Sequence, residues 1–311
     1  MQDEERGADA AVTRAGFVAL VGRPNVGKST LLNALVGEKL SIVTARPQTT
    51  REAVTGILTR PGFQAVFVDT PGLMDPRYLL HEAMQHTALG ALEQADVVLL
   101  LLDGAHEEEV PGGEVVSSLR SRRERLVVAV NKSDVAEASM VSRLARWSEA
   151  ELGVSALAVS AATGAGVEVL LGALVDRLPE GPFLYPEDEL ATQPVRFFVE
   201  ELVRETVFEL YGQEVPYSTA VRIEEYRESA DPVYIRAVVY VERDSQRGIV
   251  IGQGGAKIRE LGVRARAKIE TFVGTRVYLD LWVKTLPGWR RKAGSLKRLG
   301  YPLPRGSGGR A

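Results

Sequence analysis

The stretch FVALVGRPNVGKST, Phe17 to Thr30, constrains the fold more than any other part of the chain. FVALVG reads as a buried strand. GRPNVGKS then fits the pattern G-x-x-x-x-G-K-[ST] without mismatch, and STLLNALVG continues at helical spacing. A strand that turns through glycines into a helix aims backbone N–H groups at one point, and the helix N-terminus adds positive potential. That is a phosphate cradle. Lys28 can reach the β- and γ-phosphates of a bound nucleotide, and the Ser29 hydroxyl can ligate Mg²⁺. Gly22, Arg23, Pro24, Asn25, Val26, Gly27 and Thr30 complete it.

Four more apolar runs follow, QAVFVD, VVLLLLD, LVVAVN and SALAVS, each ending on a polar residue. Helical patterns separate them: LLHEAMQHTALGALEQ, EVVSSLRSR, MVSRLARWSEAEL and VEVLLGALVDRL. This alternation predicts an α/β unit with a mostly parallel sheet and helices on both faces. In such sheets ligands sit at the C-terminal strand edges, where Asp69, Asp103, Asn131 and Ser160 fall.

The residues at those edges select the nucleotide. In NKSD, Asn131 to Asp134, the Asp134 carboxylate can accept from both N1–H and N2–H₂ of guanine, a donor pair that adenine lacks. Asn131 would brace the loops, and the Lys132 stem would cover the base. SAATG begins with Ser160, Ala161 and Ala162, whose backbone would donate to guanine O6. In DTPG, Asp69 can hold Mg²⁺ through a water, Thr70 and Pro71 are further candidates for binding the nucleotide, and the Gly72 N–H can meet the γ-phosphate. RPQTTRE, Arg46 to Glu52, lies between the phosphate loop and the next strand; Thr50, beside Arg51, is preferred over Thr49 as a Mg²⁺ ligand. In this order the motifs describe a GTP-hydrolysing switch. Lys28, Thr50, Gly72 and Asn25 are the candidate catalytic residues. Leu73 follows DTPG where small signalling GTPases place a water-orienting glutamine. Asn25 then has two readings: a ligand for potassium beside the phosphates, or a residue that only shapes the loop.

Four prolines between Pro179 and Pro194 mark a linker. Beyond it the order changes to helix, two strands, short helix, glycine turn, long basic helix and strand. The glycine turn GQGGAK is no second phosphate loop, because no G-K-[ST] follows, nor a dinucleotide fingerprint, because Lys257 stands where glycine is needed. It fits G-x-x-G, Gly252–Gln253–Gly254–Gly255, between two helices: the K-homology (KH) arrangement, which clamps a nucleic-acid backbone. Lys257, Arg259, Arg264 and Lys268 supply charge, with Arg266 on the same helix. Residues 1–180 hold 17 Lys+Arg against 24 Asp+Glu, whereas from Arg243 onward there are 16 basic and 4 acidic residues. A basic C-terminal third points to a polyanion.

Composition excludes other classes. With no cysteine, disulfides and Cys-ligated zinc are ruled out, and three histidines within 81–106 argue against a histidine metal site or triad. The longest apolar run, VVLLLL, is far short of the roughly 18 residues of a membrane span. The acidic N-terminus has no apolar core and is no secretory signal.

GRPNVGKST, PQTTR, DTPG and NKSD, followed by LYPEDE, VPYS and VIGQGGAKIRELG, resemble the Era family over roughly Phe17 to Tyr301. The resemblance implies a P-loop GTPase domain followed by an α+β type II KH domain. It implies binding of GTP, GDP and Mg²⁺, of the 3′ end of 16S ribosomal RNA, and of the 30S subunit during assembly. It also implies a cytoplasmic monomer with peripheral association at the inner membrane. The roles of Lys28, Ser29, Thr50, Asp69, Asn131, Asp134 and the Gly252–Gly255 loop carry over. LMDPRYLLHEAM, after DTPG, departs from the family's usual basic stretch. The expected divisions are a flexible N-terminus (1–14), a GTPase domain (15–180), a linker (181–194), a KH domain (195–287) and a basic tail (288–311). Two rivals remain: a tRNA-modification or transport-associated GTPase without a KH unit, and an RNA-binding protein whose nucleotide is structural.

Overall fold

The computed structural model describes residues 12–44, 46–106 and 110–304. Most of the expected flexible N-terminus and the last seven residues of the expected basic tail lie outside them.

The first unit is a six-stranded sheet in the order β2-β3-β1-β4-β5-β6. Its strands are β1 (Arg14–Val21), β2 (Val54–Arg60), β3 (Phe63–Asp69), β4 (Val97–Asp103), β5 (Leu126–Asn131) and β6 (Ala156–Ala158). Its helices are α1 (Lys28–Val36), α2 (Leu79–Gln94), α3 (Gly113–Arg120), α4 (Ala138–Leu152) and α5 (Val167–Val175). Leu20, Leu99, Leu31 and Leu170 pack on one face with α1 and α5. Val21, Leu100, Leu119 and Leu144 pack on the other with α2, α3 and α4. Every residue of β4 is buried, as a central parallel strand covered on both faces requires. The sequence reading missed β2, which pairs antiparallel with β3 across a turn at Pro61 and Gly62. The linker covers its free edge: Ile57 N–H donates to Leu190 at 2.8 Å and Thr55 N–H to the Gln193 amide at 3.1 Å.

The second unit runs α6 (Val195–Leu210), β7 (Ala220–Arg227), β8 (Val233–Val241), α7 (Asp244–Ile251), the glycine turn, α8 (Ala256–Val273) and β9 (Val277–Thr285). β7 pairs antiparallel with β8, and β8 pairs parallel with β9. Val203, Val207, Ile235, Leu261 and Ile269 form its core between the sheet and the helices. No helix among the described residues is long and apolar enough to cross a membrane.

The segment expected as a basic tail is folded as far as it is described. Trp289 is fully buried, and its indole N–H donates to the Ser218 carbonyl at 2.8 Å. A last helix, α9 (Ala293–Arg298), brings Leu296, Leu299 and Tyr301 against Trp289, Val238 and Tyr240, and against Leu80 and Met84 of α2. Apolar residues spaced among the tail's arginines and lysines thus cement the C-terminal end to the first unit.

Candidate nucleotide site and nucleic-acid interface

The register of the sheet assembles the site. Leu20 pairs with Asp69 across β1 and β3, and Asp103 pairs with Asn131 across β4 and β5. These pairings bring the ends of four strands to the glycine loop between β1 and α1. A cavity of about 560 Å³ opens there, bordered by Pro24, Asn25 and Lys28 of the loop and by Thr50, Gly72 and Lys132.

Lys28 is buried and lies over its own loop, donating to the carbonyls of Gly22 at 3.1 Å and Arg23 at 3.0 Å. The Ser29 hydroxyl donates to Asp69 Oδ2 at 2.7 Å and lies 3.0 Å from the Thr50 hydroxyl. Thr50 Oγ1 is in turn 3.4 Å from Asp69 Oδ2. Three oxygens from three elements therefore converge. Asp69 Oδ1 is buried with no hydrogen-bond partner, and burial pushes the carboxyl above its ordinary range against the pull of Lys28 and Ser29. A buried carboxylate with a spare oxygen beside two hydroxyls suits a hard divalent cation. No three His, Cys, Asp or Glu side chains converge among the described residues, so such a cation would complete its shell with phosphate oxygens and water. Thr49 also borders the cavity but is buried, its carbonyl accepts from Arg204 of α6, and it is Thr50 whose hydroxyl meets Ser29 and Asp69.

Gly72 sits against the phosphate loop. A Cβ there would lie 2.6 Å from the Pro24 nitrogen, so no other residue fits. The next N–H, of Leu73, donates to the Gly22 carbonyl at 3.1 Å, tying DTPG to the cradle. Thr70 and Pro71 are buried, and the Thr70 hydroxyl donates to the Leu20 carbonyl at 2.8 Å, which gives both a scaffolding position. Val26 is likewise buried and contributes its carbonyl.

Asn131 braces two loops: its Nδ2 donates to the Val26 carbonyl at 2.8 Å, and its Oδ1 accepts from the Ala161 N–H at 2.9 Å. Ser160 N–H donates to the Ala165 carbonyl at 2.8 Å. Of the three backbone donors expected to meet guanine, Ala162 alone thus keeps its N–H unpaired among the described residues. Asp134 is exposed at the lip of the site. Lys132 is anchored by Asp103 at 2.6 Å, an ion pair the sequence reading did not foresee although Asp103 ends β4 and Lys132 directly follows β5. His106 joins Asp103 at 3.1 Å on the cavity wall.

The glycine turn lies between α7 and α8. Gly252, Gly254 and Gly255 have φ of 71°, 58° and 76°, the left-handed region that favours glycine, and α8 begins at once with its N-terminus toward the turn. Gln253, Lys257 and Arg259 are exposed beside it, whereas exposed Arg264 pairs with Glu260 at 2.6 Å. Lys268 stands apart. It is eleven residues along α8 from Lys257, about 16 Å, and is held by Glu205 at 2.7 Å and Glu209 at 2.6 Å.

Fold and site define a P-loop GTPase joined to a type II KH domain. The family profile described as 50S ribosome-binding GTPase matches residues 17–132, and the KH domain profile matches residues 214–290. The chain belongs to the Era family of GTPases. It is 46% identical to GTPase Era of Thermotoga maritima over 283 residues, 90% of this chain and 94% of that protein. It is 41% identical to GTPase Era of Carboxydothermus hydrogenoformans, over 93% and 98% of the two chains. The structure superposes at a TM-score of 0.87 on a point variant of Aquifex aeolicus Era bound to GDP·AlF₄⁻, at 36% identity, covering 94% of this chain and all of that one. It superposes equally, TM-score 0.87 at 37% identity and the same coverage, on Era in complex with MgGDPNP and nucleotides 1506–1542 of 16S ribosomal RNA.

Proposed function

We propose that this GTPase binds the 3′ end of 16S ribosomal RNA through the Gly252–Gly255 turn and acts as a nucleotide-controlled checkpoint in assembly of the 30S subunit. The observation that carries the reading is the docking of the Thr50 loop on the KH domain. Arg46 donates to the Tyr211 carbonyl, Arg204 donates to the Thr49 carbonyl, and Arg51 donates to the carbonyls of Thr219, Pro216 and Tyr217 at 2.6, 3.2 and 3.1 Å. The segment that must respond to the γ-phosphate is thereby part of the RNA-binding unit's surface. The RNA-bound relative supports the choice of partner.

In the hydrolysis, a water oxygen attacks the γ-phosphorus, the bond to the β–γ bridging oxygen breaks, and GDP and phosphate leave. Lys28 and the Gly72 N–H offset charge on the transferring group, and Asp134 reads guanine. Ser29 and Thr50 would hold Mg²⁺, with Asp69 behind them; the ion, when bound, neutralises charge on the β- and γ-phosphates. Asn25 borders the cavity from within the phosphate loop, which supports its reading as a potassium ligand, while its φ of 66° fits either reading. The setting is cytoplasmic, with any contact at the inner membrane peripheral, and the chain acts as a monomer.

The test is crosslinking of the protein to RNA in cells, followed by sequencing of the bound segment. Enrichment of the 16S 3′ end, lost on removal of residues 195–311, is the expected result. A tRNA or messenger segment in its place would overturn the reading.

A further inference from the structure

The site as described lacks a residue to act on the γ-phosphate from the solvent side. Leu73 occupies the position after DTPG, and a leucine side chain makes no hydrogen bond. A glutamine does border the cavity, from the other switch. Gln48 lies two residues before Thr50 and borders the same cavity as Lys28, Ser29 and Gly72. Its backbone has φ 62°, a conformation that costs a non-glycine residue energy and clusters at functional sites. Of the four described non-glycine residues with positive φ, Asn25, Gln48 and Lys132 all border this cavity.

The Gln48 side chain is also held. His81 of α2 is buried, packs against the Tyr78 ring with centroids 3.9 Å apart at a tilt of 32°, and places Nε2 3.3 Å from Gln48 Oε1. The other ring nitrogen, Nδ1, accepts from the Arg77 N–H at 3.4 Å. A neutral imidazole has one donor and one acceptor, so the Nε2–H is the donor toward Gln48. That assigns Oε1 to His81 and leaves the amide N–H₂ at the opposite end of the planar group. The Gln48 nitrogen has no hydrogen-bond partner among the described residues. Burial, then the charges of Arg290, Arg51 and Arg77, lowers the imidazole pKa to about 4, so the ring is neutral at physiological pH.

We propose that Gln48 is a catalytic residue in GTP hydrolysis, donating from its side-chain amide to a γ-phosphoryl oxygen, and that His81 is its positioning residue. The proposal rests on the GTPase reading of the cavity. The amide gains and loses no proton; it offsets charge on the γ-phosphoryl oxygens as the bond to GDP breaks, so its removal should lower kcat and spare GTP affinity. His81 holds that amide in place from α2, so one hydrogen bond joins the Thr50 loop to the helix that follows DTPG.

Gln48→Gly is the informative variant, because glycine adopts φ 62° without steric cost. Thermal stability should hold while kcat falls about 10²-fold and KM stays within about twofold. His81→Ala should lower kcat about 10-fold, and His81→Gln, which keeps an N–H donor at the same reach, should restore most of it. His81→Ala in the Gln48→Gly background should cost nothing further, the signature of one coupled unit. Wild-type turnover with an unchanged kcat in a folded Gln48→Gly would overturn the proposal and leave the GTPase reading intact. Additive losses in the double variant would overturn the positioning role of His81. A wild type that fails to turn over GTP would overturn both readings.

Discussion

Arg51 donates from Nη1 to the carbonyl of Thr219 at 2.6 Å, across 168 residues of sequence. The guanidinium is buried, lies 5.7 Å from the centre of the Trp289 ring, and satisfies two further carbonyls of the turn before β7. Burial lowers its pKa from the usual arginine value, yet that value starts so high that the charge persists. Arg51→Ala would remove the donor of the Thr219 and Tyr217 carbonyls and one of the two donors of the Pro216 carbonyl, which keeps the Thr219 N–H at 3.4 Å. The expected cost is at least about 2 kcal/mol, read as a lower unfolding temperature by calorimetry. RNA affinity in the variant should no longer differ between GDP and a GTP analogue. Arg51→Lys should rescue little, because one ammonium cannot span the three acceptors.

Guanine selectivity rests on Asp134. Its carboxylate is exposed, so Asp134→Asn should leave stability unchanged. GTP affinity should weaken by about 1–3 kcal/mol, and xanthosine triphosphate, whose O2 replaces the N2 donor, should become the better ligand. Titration calorimetry with both nucleotides measures this, and equal GTP affinity in wild type and variant would contradict it.

Hydrolysis should be faster in potassium than in sodium at matched ionic strength, with the difference abolished in Asn25→Ala. Steady-state phosphate release in the two salts is the measurement.

The buried imidazole makes stability depend on pH in a stated direction. The folded His81 pKa of about 4 lies below the unfolded value of 6.5. Between those values the unfolded chain binds the proton and the folded one does not, so acidification through this window destabilises the fold. Burial, then the cations Arg290, Arg51 and Arg77, oppose protonation of the ring. Comparison with His81→Gln cancels the contributions of other groups: wild type should lose stability more steeply from pH 6.5 toward about pH 4, in chemical denaturation at each pH. Parallel curves would refute the assignment.

Local chemistry made most of the nucleotide site readable. A phosphate loop needs its glycines and lysine at fixed spacing, and Asn131 works at a strand end whatever the rest of the chain does. Three features escaped for physical reasons. β2 is an edge strand whose apolar alternation is broken at Gly56, so it has little periodicity, although the Pro61–Gly62 turn was a signal. Trp289, Leu296, Leu299 and Tyr301 looked like part of a basic tail because their partners, Leu80 and Met84, are more than 200 residues away. Arg51 and Lys268 carry charges that sequence assigns to solvent or ligand, whereas the fold gives them carbonyls and carboxylates. The glycine turn was legible as a turn, but not the φ of 58° that favours glycine at position 254.

The central claim, that one chain couples a GTP site to an RNA clamp, is tested most directly at that turn. Gln253 and Lys257 are both exposed, so Gln253→Asp combined with Lys257→Glu adds negative charge without disturbing the core. Fluorescence anisotropy with a labelled 16S 3′-end RNA, in GDP and in a non-hydrolysable GTP analogue, gives the affinities. The account predicts that wild-type affinity depends on the nucleotide. It predicts at least a tenfold loss in the variant, about 1.4 kcal/mol, with GTP affinity unchanged and binding that weakens with salt. A folded variant that binds this RNA as the wild type does would contradict it.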